Sequence, residues 1–237
     1  MRCDIKLASS TLTHRDNPII LIDTCSLIDI VRVPYRSEIT ISHLDGAKSI
    51  VKKAQQGKLS IVTTSTVESE LGKHLPLTCK ELDRYIMELS SKSISLINSI
   101  QSVGLGFQFS IAGMAEIKLS EKLKTIAEDT FAQSLILDRD SECDRKAHDR
   151  VERNQAPAKR GKSESKDCLI VEHYIKLVKT LRESSFERKI VFVTSNKTDF
   201  GSPSAPNPPL DTQFSSHSIT YCNNFGWALQ VVEGQPD

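Results

Sequence analysis

No Cys-x-x-Cys pair occurs in the 237-residue sequence; its six cysteines, Cys3, Cys25, Cys79, Cys143, Cys168 and Cys222, are widely scattered. That spacing argues against both a zinc ribbon and a disulfide framework, and leaves buried or idle thiols in a reducing compartment as the expectation. No apolar run approaches the roughly 20 residues of a membrane span, and the opening "MRCDIKLASSTLTHRD" lacks the uninterrupted apolar core of a signal peptide, so a cytosolic protein without membrane contact is expected. Charge of one sign is also lacking: 31 Lys and Arg nearly cancel 30 Asp and Glu, so any attraction to nucleic acid must come from a local patch.

Several catalytic signatures are missing as well. Without Gly-x-Ser-x-Gly, a complete phosphate loop or His-Glu-x-x-His, the sequence gives no support to a serine hydrolase, a P-loop NTPase or a zinc protease; "RGKS" lacks the upstream glycine. A dehalogenase-type phosphatase needs a second Asp two residues after Asp23, where Cys25 stands, and an Asp-x-Ser-x-Ser metal site fails at the same place. The six histidines are isolated from one another; His173, on an apolar helical stripe, and the lone Trp227 read as core packing.

What is present begins with "PIILIDTCSLIDIVR" (18–32). Four apolar residues precede Asp23, and Leu27, Ile28 and Val31 recur at helical spacing after it, which predicts a strand passing at once into a helix. "HLDGAKSIVKKAQQGKL" (43–59) reads as an amphipathic helix ending near Gly57, and "LSIVTTSTVESELGKH" as a second strand entering another helix. Such β-α alternation implies parallel strands joined by helical crossovers. From about Thr78 the pattern becomes helical, with Leu82, Ile86, Leu89, Ile97 and Ile100 and then "MAEIKLSEKLKTIAEDTFAQSLIL"; a helical insertion over 78–156 within one domain spanning 1–237 is expected. "DRDSECDRKAHDRVERNQ" predicts an exposed helix and "APAKRGKSESK" a loop. A helix on "DCLIVEHYIKLVKTL", a strand on "KIVFVTS", a proline-rich loop on "GSPSAPNPPL" and a short last strand on "SITYC" follow.

In an open parallel sheet the carboxyl ends of the strands line one crevice, where ligands bind. Asp23 ends a strand, Glu70 lies in the helix after the second strand, Asp167 opens a helix, and Asn196 and Asp199 follow the last strong strand. Singly, each acid is as readily a helix cap, a dipole partner or a turn former. Jointly, and in this order, "IILIDTCSLID", "TSTVESELGKH", "GKSESKDCLIVEHY" and "VFVTSNKTDF" resemble the four signature segments of the PIN-domain nucleases, with a long insert between the second and third. The resemblance implies a three-layer α/β/α fold with a central, mostly parallel sheet, and a metal site built from Asp23, Glu70 and Asp167 with Asn196 or Asp199 completing the shell. Where many family members carry an Asp two residues after the strand-end Thr, this chain has Asn196, a neutral oxygen ligand that would bind a second metal more weakly.

The chemistry fits those residue types. Phosphodiester hydrolysis needs a placed water and compensation of charge on the phosphoryl oxygens, which Mg²⁺ or Mn²⁺ on oxygen ligands can supply. Glu68 and Glu164 are reserves; Glu68 lies about 200° from Glu70 around an ideal helix, and the Leu71 pairing favours Glu70. Thr24, Thr194 and Ser195 could orient ligands or phosphate, or serve as caps and turns, and Lys159, Arg160, Lys162 and Lys166 could hold a nucleic-acid backbone or simply be solvated. The resemblance implies an endonuclease acting on RNA rather than DNA, either a toxin restrained by a protein inhibitor or a nuclease of defence or RNA processing. The alternatives are a DNA nuclease and a non-catalytic scaffold binding RNA or a partner. The apolar stripe of the insert would pack on its own domain or form a homodimer.

Overall fold

The computed structural model describes residues 1–104, 117–159 and 164–234. In chain order the elements begin β1 (Arg2–Cys3), α1 (Ile5–Arg15), β2 (Ile19–Ile22), α2 (Thr24–Arg32), α3 (Ile41–Gln55), β3 (Ser60–Thr64) and α4 (Ser65–Ser102). There follow α5 (Leu119–Ala132), β4 (Ser134–Leu137), α6 (Ser141–Glu152), α7 (Ser165–Glu183), β5 (Ile190–Val193) and α8 (Lys197–Phe200). The chain closes with β6 (Gly201–Ser202), β7 (Ala205–Pro206), α9 (Leu210–Ser216), β8 (Ile219–Cys222) and α10 (Phe225–Glu233).

Six of these strands form one parallel sheet in the order β1-β4-β3-β2-β5-β8, while β6 and β7 make a separate antiparallel pair. Its central strands, "IILI" and "IVFV", are buried at every position, because a parallel sheet covered on both faces needs apolar residues pointing both ways. Helices α2, α3, α4, α5 and α10 pack together on one face, and α1 and α6 pack on α7 on the other, giving the three-layer α/β/α arrangement. From β2 the chain first builds outward through β3 and β4, then crosses to β5 on the other side of β2 and continues to β8. The order therefore reverses between β2 and β5, and the crevice this creates lies beyond Ile22 and Val193. Three hydrogen bonds bind its floor: Asp23 N–H to Val193 O (3.1 Å), Ser26 Oγ to Val193 O (3.0 Å) and Tyr174 OH to Ile22 O (2.6 Å).

The stretch 78–156 differs from its expected all-helical character. It includes β4, which pairs with β3 through Ile61↔Ser134 to Thr64↔Leu137 and belongs to the central sheet. "SLIL" is too short for periodicity to separate a buried strand from the tail of a helix. Nor does a new helix begin at Thr78: α4 runs unbroken from Ser65, with Pro76 inside it. Beyond Leu82 none of its apolar side chains is fully buried: Ile86 still packs at the edge of the core, while Met87 is 69% and Leu96 62% exposed. The N-terminal β1 and α1, which the sequence pattern does not announce, close the sheet edge against β4. All six cysteines are free thiols, and no helix among the described residues is long and apolar enough to cross a membrane.

On the α3–α10 contact two glycines let the helices meet. A Cβ on Gly46 would stand 2.4 Å from Gly226 N, and one on Gly226 would stand 2.4 Å from Ser42 Oγ, both far inside van der Waals contact. Beside them His43 stacks on Phe225 and spans α2 and α10, its Nε2 2.8 Å from Ser26 O and its Nδ1 accepting the Phe225 N–H at 3.2 Å. Burial holds this imidazole's pKa below the usual histidine value, keeping it neutral.

On the other face, Arg150 is buried and bonded in three directions: to Glu172, to Ala156 O (2.6 Å) and to Gln213 Oε1 (2.6 Å). It thereby ties α6, α7 and α9 to the start of the loop that carries Lys159. Because removing one partner strands a buried charge, Arg150→Ala is expected to destabilise the fold by about 3–5 kcal/mol. Arg150→Met with Glu172→Leu should recover much of the loss. Urea unfolding monitored by circular dichroism measures both, and a double variant no more stable than Arg150→Ala would contradict this account.

Candidate metal centre

Asp23 sits at the N-cap position of α2, yet its side chain makes no capping bond. Instead the carboxylate occupies the crevice: Oδ2 accepts the Thr194 hydroxyl at 2.7 Å, and Oδ1 is buried without a hydrogen-bond partner among the described residues. Burial pushes its pKa up to about 6, with Glu70 adding repulsion while Thr194 and the Thr24 N–H favour the charge. Thr194 in turn accepts the Asn196 N–H at 3.1 Å, so one hydroxyl links Asp23 to the segment after β5.

Glu70 comes from the first turns of α4, whose N-cap Thr64 accepts the Val67 N–H at 3.2 Å. Its carboxylate accepts the Thr24 hydroxyl at 2.8 Å and pairs with Lys166 at 3.1 Å. Glu68 points the other way, to Arg2 at the sheet edge, as its place around the helix requires.

Asp167, in the first turn of α7, is the most perturbed acid. Burial first, then the charges of Asp23, Glu70, Glu164 and Asp199, raise its pKa to about 8. Carboxylate oxygens of Glu164, Asp167 and Asp199 lie within 4.8 Å of one another. Glu164, three residues before Asp167, is thus brought into the cluster. Asp199 is buried and pairs with Lys159 at 3.0 Å.

Asn196 is arranged differently from the oxygen ligand expected of it. Its Oδ1 caps α8 by accepting the Asp199 N–H at 3.3 Å, and its Nδ2 donates to Asp167 Oδ2 (3.2 Å) and Asp199 Oδ2 (2.9 Å). A carboxamide between two carboxylates lowers its energy by pointing N–H at both. The neighbouring proline-rich segment, expected only as a loop, folds back through β6 and β7, and Asn207 Nδ2 donates to Asp199 O at 3.1 Å. No feature of the sequence singles out Asn207. Gly201 makes that turn: its φ is +83°, and a Cβ there would lie 2.5 Å from Asn207 N.

Of the other expected site residues, Thr24 and Thr194 bond to carboxylates, Ser195 borders a neighbouring cavity, and Lys159 and Lys166 contact the acids themselves. Arg160 and Lys162 lie outside the described residues. His173 is buried, its ring nitrogens 2.8 Å from Leu169 O and 3.2 Å from Asp138 O, and Trp227 packs at the edge of the core.

The donor set suits a hard divalent cation. It consists of oxygens, it includes Asp23 Oδ1, buried without a hydrogen-bond partner among the described residues, and its members raise one another's pKa values as acids do that share a site a cation would neutralise. Cys25, the nearby sulfur, is pushed far up by burial and by the charge of Asp23, so it stays a protonated thiol rather than a soft ligand.

A family model described as PIN domain matches residues 20–200. No curated protein and no solved structure matches the chain.

The raised Asp167 carboxyl sets a pH dependence. An acid whose folded pKa exceeds its unfolded value costs stability as pH climbs between the two, here from about 4 to about 8, because the unfolded chain ionises first. Asp167→Asn is therefore expected to raise the melting temperature of chelator-treated protein clearly at pH 8 and much less at pH 5. Mn²⁺ should stabilise the unaltered protein more at pH 8 than at pH 5, since protons compete for the same oxygens. Thermal melts at the two pH values measure both, and a gain from Asp167→Asn that is larger at pH 5 would sink this reading.

Proposed function

The chain belongs to the PIN-domain family, and from that premise we propose that it is a Mg²⁺- or Mn²⁺-dependent endonuclease hydrolysing phosphodiester bonds of RNA. Members of this family are generally nucleases that use divalent metals. The observation that supports the reading for this chain is the group of Glu164, Asp167 and Asp199, whose carboxylate oxygens lie within 4.8 Å of one another, with Asp23 and Glu70 near enough for their charges to raise the Asp167 pKa, beside the reversal point of the sheet. The choice of RNA over DNA follows the family resemblance, as do the settings that suit it: a toxin held by an inhibitor protein, or defence or RNA processing.

Asp23, Glu70, Asp167 and Asp199 would hold the cation, and Glu164 stands close enough to join them. When bound, Mg²⁺ or Mn²⁺ supplies Lewis-acid stabilisation of the phosphoryl oxygens and acidifies the attacking water. The chain's own residues do the positioning. Thr194 orients Asp23, Thr24 orients Glu70, and Asn196 holds Asp167 and Asp199 at a common distance through its two N–H groups. Lys159 and Lys166 shield the acids and, displaced from them, would face the phosphate backbone.

One observation favours a second reading, a non-catalytic scaffold: among the described residues Glu70 and Asp199 already have ammonium partners, which offset part of the charge that a cation would otherwise meet. Cleavage of labelled single-stranded RNA, with DNA in parallel, separates the two. Mn²⁺-dependent cleavage is expected, falling at least about a hundredfold in Asp23→Asn and in Asp167→Asn, and about tenfold in Asn196→Ala. Intact RNA with every divalent ion tried would favour the scaffold, and cleavage of DNA alone would reassign the substrate.

A further inference from the structure

Two cavities reach residues of the site. One, of about 610 Å³, includes Glu70 and Lys166 in its wall. The other, of about 480 Å³, lies against Asn196, between the end of α2, the start of α3 and the turn before α10. The second has a distinct lining: Arg32, Arg36 and Lys197, with the carboxamides of Asn196, Asn223 and Asn224 around them.

The geometry points to this second cavity as the seat of a nucleotide flanking the scissile bond on a single-stranded nucleic acid, a role that rests on the nuclease reading of the adjoining centre. Its charge balance fits one phosphodiester. Asp29 and Glu38 also line it, but each stands beside an arginine, Asp29 3.4 Å from Arg32 and Glu38 3.7 Å from Arg36. Lys197 is exposed and has no carboxylate partner among the described residues, which leaves one positive charge in excess. Arg32 adds a partly exposed guanidinium to the lining, a group suited to phosphate oxygens.

The amides suit the other half of a nucleotide. Asn224 is committed to capping α10, its Oδ1 accepting the Trp227 N–H at 2.8 Å, and its Nδ2 donates to Asn223 Oδ1 at 2.9 Å. Asn223 is thereby fixed in orientation, and its own N–H groups remain for the edge of a base. Asn196 is the shared wall: it borders the cavity and its Nδ2 reaches Asp167 and Asp199, so a strand seated here is one residue from the carboxylates. A volume of about 480 Å³ lies within the range of small-ligand sites.

Fluorescence anisotropy with a short labelled RNA, and a DNA of the same sequence, tests this in the Asp167→Asn background, where the strand stays intact. Arg36→Ala with Lys197→Ala is expected to weaken binding about five-fold at 0.1 M salt and to flatten the log–log salt slope by about 0.7, the effect of one lost phosphate contact on a single strand. Arg36→Lys with Lys197→Arg should restore binding. Lys58→Ala with Lys179→Ala removes equal charge at the opposite end of the strands and should change binding less than two-fold. Equal binding by the two alanine pairs, or no binding of either strand by the background protein, overturns the subsite even where the unaltered protein cleaves RNA. Weakening confined to the Arg36 and Lys197 pair, in a protein that cleaves nothing, upholds the subsite and overturns hydrolysis.

Discussion

Carboxylates that share a dry crevice repel one another, and every contact around Asp23, Asp167 and Asp199 answers to that repulsion. Thr194 and Thr24 donate hydroxyl hydrogens, Asn196 donates two N–H bonds, and Lys159 and Lys166 bring ammonium groups to the rim. None of these fully offsets the charge, since burial and mutual repulsion still push Asp23 and Asp167 well above ordinary carboxyls. The sheet makes such crowding bearable: the ends of β2 and β5 are locked by Tyr174 and Ser26, so the acids cannot move apart. A scaffold that holds acids where they are least comfortable is poised for a cation.

Much of that arrangement could be read from the letters. "IILID" and "VFVTS" declare buried parallel strands because nothing else demands continuous apolar, β-branched runs of that length before a polar residue, and the crevice rule then places Asp23 and Thr194 together. Other parts were illegible for physical reasons. "SLIL" carries no periodicity that tells strand from helix, and β1 is only two residues long, so the β1–β4 side of the sheet does not announce itself, whereas β8 at the other edge is legible in "SITYC". Residue type names a chemistry but not an orientation. Asn196 offers both an oxygen and an amine, and only the placement of Asp167 and Asp199 decides which faces the acids. Glu164 and Glu68 read alike as reserve acids, and only the start of α7 sets Glu164 beside Asp167 while Glu68 turns to Arg2.

The two sides of the cluster are held by different means. On the Glu70 side, the group nearest the acid is the long, half-exposed side chain of Lys166 in the first turn of α7. Toward Asn196, the groups are short carboxamides whose own bonds fix them to helix ends. Both flanks carry positive charge, Lys166 on one and Arg32, Arg36 and Lys197 on the other, and the carboxamides add rigid hydrogen-bonding edges to the second.

The glycine contact between α3 and α10 reaches further than packing. Thr40 and His43, at the start of α3, face Asn223 and Asn224, at the entry to α10, across the amide-lined hollow. The separation of those walls is fixed where Gly46 and Gly226 touch, so the bore of the hollow is gauged by two missing methyl groups. A single carbon added at either glycine would work as a shim, widening the opening without altering any residue that lines it.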